Sequence, residues 1–306
     1  MRCKCGAKLF SKAIPLCPKC AKREVVDLHP PLYKVEVKKC KLCSNECSGL
    51  ALCGKPPYGA LSYYEDPLPT NCCNAWFCKA SKMRGTNLAV FYYGCNFDCL
   101  FCQNWIHKRI PGRTVEIEEL LEVLKNERIK CICHFGGSPE PQLPYALKFS
   151  RKALEIRRDL MICWEWNGAG NTSLALRAAE ISSRSGGTVK FDLKAWNDNL
   201  HVILTGRSNE RVKENFCKIA EKYLEVLSAT TLLVPFYVDA EEVENIAKFI
   251  SSIDENIPYS LLVFHPDYRL SDMPITPKDQ VFECYSVAKK HLKNVSIGNL
   301  HLLYRF

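Results

Sequence analysis

The chain has 306 residues, 47% of them apolar and 25% charged, with a formal net charge of +9. That composition suits a globular protein with a sizeable core and excludes a mainly disordered chain. No apolar run approaches the ~18 residues that cross a bilayer, and Met1-Arg-Cys-Lys-Cys-Gly6 lacks the apolar stretch of a signal peptide, so a cytoplasmic protein with no membrane partner is expected.

Of the 19 cysteines, 14 lie before residue 103, a density that in a reducing compartment points to metal ligation rather than disulfides. In chain order, Cys3-x-Cys5 and Cys17-Pro-Lys-Cys20 form two knuckles that predict a zinc-ribbon-like unit over residues 1–30. A unit of that size cannot bury a core of its own and depends on its metal to fold. Cys40, Cys43, Cys47 and Cys53 follow in a cysteine-rich segment, residues 31–85, and could hold zinc or an auxiliary iron–sulfur cluster. Cys72, Cys73 and Cys78 could complete either set. Residues 1–60 carry 12 Lys/Arg against 4 Asp/Glu, so the positive charge is concentrated in this head. It reads as a docking surface for an acidic partner, nucleic acid or protein, or as cations that offset thiolate–metal centres.

From residue 86 to 306, strand and helix patterns alternate. Leu88–Tyr93, Cys131–Phe135, Leu160–Trp166, Thr188–Leu193, Ala229–Val234 and Tyr259–Phe264 read as strands. Helical periodicity covers 117–124, 144–156, 173–183, 208–226, 243–253 and 278–291. Six strands in βα units predict an α/β parallel sheet, open or curled into a partial barrel, with its site at the C-terminal strand ends. Cys131, Cys133, Cys163, Cys217 and Cys284 read as buried apolar-like thiols.

The loop after the first of these strands is Gly94-Cys95-Asn-Phe-Asp-Cys99-Leu-Phe101-Cys102-Gln-Asn-Trp105. Three thiolates spaced C-x3-C-x2-C can take three corners of a 4Fe–4S cubane and leave one iron open. Structural zinc wants four ligands, and no fourth cysteine follows nearby.

This motif, with an aromatic before its last cysteine, resembles the radical S-adenosylmethionine (SAM) superfamily. The wider match is similar to the pyruvate formate-lyase activating enzyme-like branch, closest to the radical component of the AmmeMemoRadiSam group. It covers about residues 40–300, with Leu68–Cys72, Trp76–Cys78, Phe264–Tyr268 and Gly298-Asn299 as further matching segments. The resemblance implies a partial (β/α)6 TIM-type barrel. It also implies that Cys95, Cys99 and Cys102 hold a 4Fe–4S cluster whose open iron is chelated by SAM, beside Phe101. Gly136, Gly137 and Ser138 stand where the family has a turn that holds the methionine amino group, with Ser138 in place of the usual acid and Glu140 as a substitute. Glu165 and Asn167 match the segment that meets ribose and carboxylate, and Asp192 and Lys194 the segment that reaches cofactor or peptide. His265 ends the sixth strand. Each has a plainer reading, an ion pair at a sheet end for Asp192 and Lys194, a satisfied histidine before a proline turn for His265.

The implied chemistry is reductive cleavage of SAM by a low-potential electron donor to methionine and a 5′-deoxyadenosyl radical, which abstracts hydrogen from a substrate. No protein acid or base is required for the first step, so no catalytic residue is assigned. The branch points to a protein substrate, as for a glycyl-radical activating enzyme. Two alternatives stand beside it: a radical SAM enzyme that modifies RNA or a protein side chain docked by the basic head, and a non-catalytic iron–sulfur or zinc binding module.

Overall fold

The computed structural model describes residues 1–70, 72–110 and 113–304, so Asn71 of the Leu68–Cys72 segment lies outside the described residues. Helix α1 (Pro18–Ala21) belongs to the N-terminal knuckles, and β1 (Glu36–Val37) and β2 (Gly49–Leu50) pair antiparallel. The body then runs β3 (Leu61–Pro67), β4 (Thr86–Tyr92), α2 (Ile117–Val123), β5 (Ile129–Gly136), α3 (Leu143–Ile156), β6 (Met161–Trp166) and α4 (Thr172–Ser185). It continues through β7 (Val189–Asp192), α5 (Asp198–Thr205), α6 (Glu210–Tyr223), β8 (Leu227–Leu233), α7 (Ala240–Ser251), β9 (Tyr259–Val263), α8 (Lys278–Lys289) and β10 (Val295–Gly298).

Strands β3 to β10 form one sheet in sequence order, parallel from β4 to β10, with β3 antiparallel on β4. The period-two alternation of each strand separates two environments. Leu88, Val90 and Tyr92 of β4, Ile132 of β5 and Ile162 and Trp164 of β6 are buried in the layer shared with the helices. Residues of opposite parity, from Ala89 and Phe91 on β4 to Ser296 and Gly298 on β10, line a single cavity. First and last parallel strands can share one cavity only if the sheet curls, so the open and barrel alternatives resolve in favour of a partial barrel. The six strands read from periodicity are β4 to β9. To these the structure adds the short, half-buried β10 at one edge and the antiparallel β3 at the other. A further helix, α5, is capped by the Asn197 side chain, which accepts from Leu200 N, and ends at Gly206.

The head is tied to the body. Phe10 stacks on Phe236 at 3.9 Å, Tyr237 Oη donates to the Leu16 carbonyl at 2.8 Å, and Lys22 bonds Asp239 and Glu241. Part of the head's positive charge is therefore used within the chain. Among the described residues no helix is long and apolar enough to cross a membrane.

His134 is a polar residue in the outer layer. Ser150 Oγ donates to the Ala146 carbonyl and so accepts from His134 Nε2, while Tyr92 Oη donates to Nδ1, both at 2.9 Å. The ring stacks on Trp164 at 4.1 Å. This arrangement satisfies a neutral imidazole, and burial pushes its pKa down to about 3. Above pH 6.5 the group has no effect on stability; below it the unfolded chain takes a proton that the folded chain refuses. Stability should therefore fall as pH drops from about 6.5 towards 3, by roughly 1.4 kcal/mol per pH unit at most. Urea midpoints at pH 7, 6 and 5 should show a shallower acid slope in His134→Gln; equal slopes would refute this assignment.

Candidate functional site

The loop that follows β4 carries three cysteines into the barrel mouth. Its backbone is bonded on several sides: Gly94 N to His107 O, Asp98 N to Thr205 O, Leu100 N to Leu204 O, and Arg269 N to Leu100 O, all at 2.8–3.0 Å. Asn45 Nδ2 donates to Asn96 O at 2.9 Å. Beneath the loop lies the buried Asp98 carboxylate, which bonds Lys108 and, at 3.2 Å, His29 Nδ1, with Arg269 Nη1 at 3.6 Å. Burial opposes its charge, but the His29 hydrogen bond and the Lys108 cation outweigh this and hold its pKa below the ordinary value. Cys95, Cys99 and Cys102 all line a cavity of about 600 Å³ inside the barrel. Burial raises all three thiols, Cys102 to about 11, with Lys108 and Lys194 acting in the opposite direction on Cys99 and Cys102.

Beside the loop, Gly136 and Gly137 end β5. Gly136 has φ of +111°, and a Cβ on Gly137 would come within 2.5 Å of the Gly94 carbonyl, so this turn can pass under the cysteine loop only without side chains. Ser138 Oγ donates to Glu140 and accepts from Asn167 Nδ2 at 2.9 Å; Asn167 Nδ2 also donates to Asn96 Oδ1 at 2.7 Å. Glu140 is fully buried and accepts from Gly168 N at 2.8 Å, and burial raises its pKa to about 7. It lies outside the cavity lining and braces the turn, rather than substituting for the family's acid as the sequence suggested.

The opposite wall is an alternating ladder of charge, Glu165–Lys190–Asp192–Lys194, with successive N–O distances of 3.2, 3.0 and 3.0 Å. Burial opposes ionisation of Asp192, but the flanking lysines bring its pKa down to about 2. For Lys194, burial is likewise outweighed by Asp192, and its pKa is raised. Lys194 Nζ also stands 5.6 Å from the Phe101 ring centroid.

The cavity thus brings together Cys95, Cys99, Phe101, Cys102, Gly136, Gly137, Ser138, Glu165, Asn167, Asp192 and Lys194. His265 is not in its lining; Nδ1 faces Asp267 Oδ2 at 3.1 Å and the side chain is 47% exposed, as in the plainer reading given above. Sequence reasoning missed Lys190, although it shares β7's inward parity with Asp192, and gave no cavity role to Cys72 and Cys73.

The thiol groups differ in spacing. The sulfurs of Cys3, Cys5, Cys17 and Cys20 all lie within 4.8 Å of one another, Cys5 and Cys17 at 3.5 Å. A tetrahedral ion with ~2.3 Å metal–sulfur bonds needs about 3.8 Å between sulfurs, so this set suits a single ion. Among the described residues, no three of Cys40, Cys43, Cys47 and Cys53 meet the 4.8 Å limit, and neither do Cys95, Cys99 and Cys102. The Cys40–Cys53 segment packs on the cysteine loop, where a Cβ on Gly94 would meet Cys53 O at 2.9 Å. Three buried polar atoms there, Tyr33 Oη, Asn45 Oδ1 and Arg207 Nε, have no hydrogen-bond partner. Deeper in the barrel, Cys131, Cys133 and Cys163 form a small buried cluster with Ala80 and Met161, and Cys284 is buried elsewhere; Cys217 is only partly covered.

The family description "Radical SAM superfamily" matches residues 89–250. A Methanocaldococcus jannaschii protein named as a glycyl-radical enzyme activating enzyme is 28% identical over 216 residues, 68% of this chain and 79% of its own. The pyruvate formate-lyase-activating enzyme of Staphylococcus aureus is 24% identical over 194 residues, 59% of this chain and 75% of its own. Streptococcus suis SuiB bound to its precursor peptide SuiA superposes with a TM-score of 0.55 over 70% of this chain and 48% of SuiB; at 14% identity this likeness concerns the fold alone. A match over more than half of the chain, on the strands that frame the cysteine loop, decides the family: the chain belongs to the radical SAM superfamily.

Proposed function

We propose that this chain cleaves SAM reductively in the barrel cavity and acts on a protein substrate, in the manner of a glycyl-radical activating enzyme. The observation that carries the reading is the convergence of the three cysteines of one loop, a glycine turn and a charged ladder on one cavity. Cys95, Cys99 and Cys102 would hold a 4Fe–4S cluster, with Lys108 and Lys194 offsetting thiolate charge. Such a cluster, given one electron by a low-potential donor, would supply the reductive cleavage of the SAM sulfonium C–S bond to methionine and a 5′-deoxyadenosyl radical.

The protein's part is orientation and exclusion of water. The Gly136–Ser138 turn offers polar groups to the methionine amino end, held rigid by Glu140 and Asn167. Asp192 and Lys194 present one charge of each sign at the cavity wall, suited to a ligand that carries a sulfonium and a carboxylate. Phe101 adds an apolar surface beside Lys194. Glu165, expected to share this task, directs its two oxygens to Cys72 and Lys190. A protein substrate is supported by the names of the M. jannaschii and S. aureus relatives. We place the chain in the cytoplasm, where its thiols stay reduced.

The same reading assigns the other thiols. Cys3, Cys5, Cys17 and Cys20 take structural zinc. Cys40, Cys43, Cys47 and Cys53 take an auxiliary cluster next to the first, which Tyr33 and Arg207 could meet with their free donors.

Two outcomes are expected. Anaerobic, reconstituted protein with dithionite should form 5′-deoxyadenosine, while Cys99→Ala should form none and keep its circular dichroism spectrum. Turnover that survives in Cys99→Ala would sink the cluster assignment. Elemental analysis of a Cys17→Ser/Cys20→Ser variant should show the loss of about one zinc per chain with iron unchanged. Unchanged zinc, or a parallel loss of iron, would refute zinc at the knuckles.

A further inference from the structure

The barrel interior is not lined by strands alone. The chain between β3 and β4 runs into it and is anchored on strand hydroxyls: Asn74 Nδ2 donates to Ser228 Oγ at 3.1 Å and Trp76 Nε1 to Ser260 Oγ at 2.9 Å. Ser260 Oγ in turn donates to the Cys73 carbonyl at 3.0 Å. These bonds, from β8 and β9, fix the thiol of Cys72 against β6 and that of Cys73 against β8. Cys72 Sγ donates to Glu165 Oε1 at 2.5 Å, and Cys73 Sγ lies 3.4 Å from Thr230 Oγ1. One ligand atom from each of Cys72, Cys73 and Glu165 lies within 4.8 Å of the other two.

We infer that Cys72, Cys73 and Glu165 form a binding site for a thiophilic divalent cation, Zn²⁺ foremost, within the cavity that also holds the cysteine loop. Two sulfurs and one carboxylate oxygen select such an ion over Mg²⁺ or Ca²⁺, which prefer all-oxygen sites. Charge balance agrees: the cation offsets the two thiolates, while the carboxylates of Glu165 and Asp192 are matched along the ladder by Lys190 and Lys194. A buried charged site has to be balanced in this way. Three protein ligands, rather than four, are the count found where zinc keeps a position for an incoming ligand. All three residues line the cavity, so that position would be open to a sulfur, nitrogen or carboxylate group of a substrate. The site shares no ligand with the N-terminal knuckles or the cysteine loop. The inference does not depend on radical chemistry and is tested without turnover.

The test is alkylation footprinting of the anaerobically prepared full chain by N-ethylmaleimide, after chelation and again after Zn²⁺ addition, read by peptide mapping. Zn²⁺ should protect Cys72 and Cys73 roughly tenfold or more, and Glu165→Gln should lose most of that protection. In parallel, Co²⁺ should give a thiolate charge-transfer absorbance that Cys72→Ser/Cys73→Ser reduces while protection of Cys17 and Cys20 persists, which also reports that the variant is folded. Equal labelling of wild-type Cys72 and Cys73 with and without Zn²⁺ would overturn the inference whatever the variants do. A Cys72–Cys73 disulfide in the anaerobic protein would overturn it equally.

Discussion

The buried carboxylate of Asp98 is the contact on which the arrangement of the barrel mouth depends. It lies inside the cysteine loop, between Cys95 and Cys99, and gathers Lys108 from the end of that loop, His29 from the head and Arg269 from the segment after β9. Both ring nitrogens of His29 face acceptors, Asp98 and the Ile203 carbonyl, so the head is pinned to α5 through the same residue. Breaking a buried, hydrogen-bonded ion pair from one side costs about 3–5 kcal/mol, because the partner charge is left uncompensated. A single carboxylate thus ties the loop, the head and the C-terminal segment together, with the three cysteines of the loop on the cavity.

The rest of the architecture follows from a division of labour between the two faces of the sheet. The outer face is aromatic and aliphatic and binds the helices, with Trp164 and Phe191 fully buried. The inner face is polar and thiol-rich, which would be costly in a packed barrel. Here the segment between β3 and β4 fills the cup and satisfies the strand hydroxyls, leaving the charged ladder and the cysteine loop around the remaining space. The charged side chains of the cavity wall are thus paired with one another.

Much of this was legible in the sequence, for identifiable reasons. Strands β4 to β9 each carry an apolar run or an apolar alternation bounded by glycine or polar turns, and the helices between them complete the βα signal. β10 is four half-buried residues, and β3 is an edge strand whose tyrosines and acids are half-exposed, so neither carries that pattern. Helix α5 was hidden by its polar start, Asn197-Asp198-Asn199, which reads as a loop until the cap is seen. The cysteine loop could be read because its ligands are local. Glu140 misled because sequence adjacency to the turn says nothing of which way a carboxylate faces. The pairing of Cys72 with Glu165 spans 93 residues and depends on how the inserted segment threads the barrel, which no local pattern encodes.

On the proposed function, the three-cysteine loop leaves one iron open to SAM. Electron paramagnetic resonance of the reduced, reconstituted protein tests it most directly. Wild-type protein should give a cluster spectrum that changes on addition of SAM, and Cys99→Ala should weaken or lose it. A cluster spectrum identical with and without SAM would contradict it.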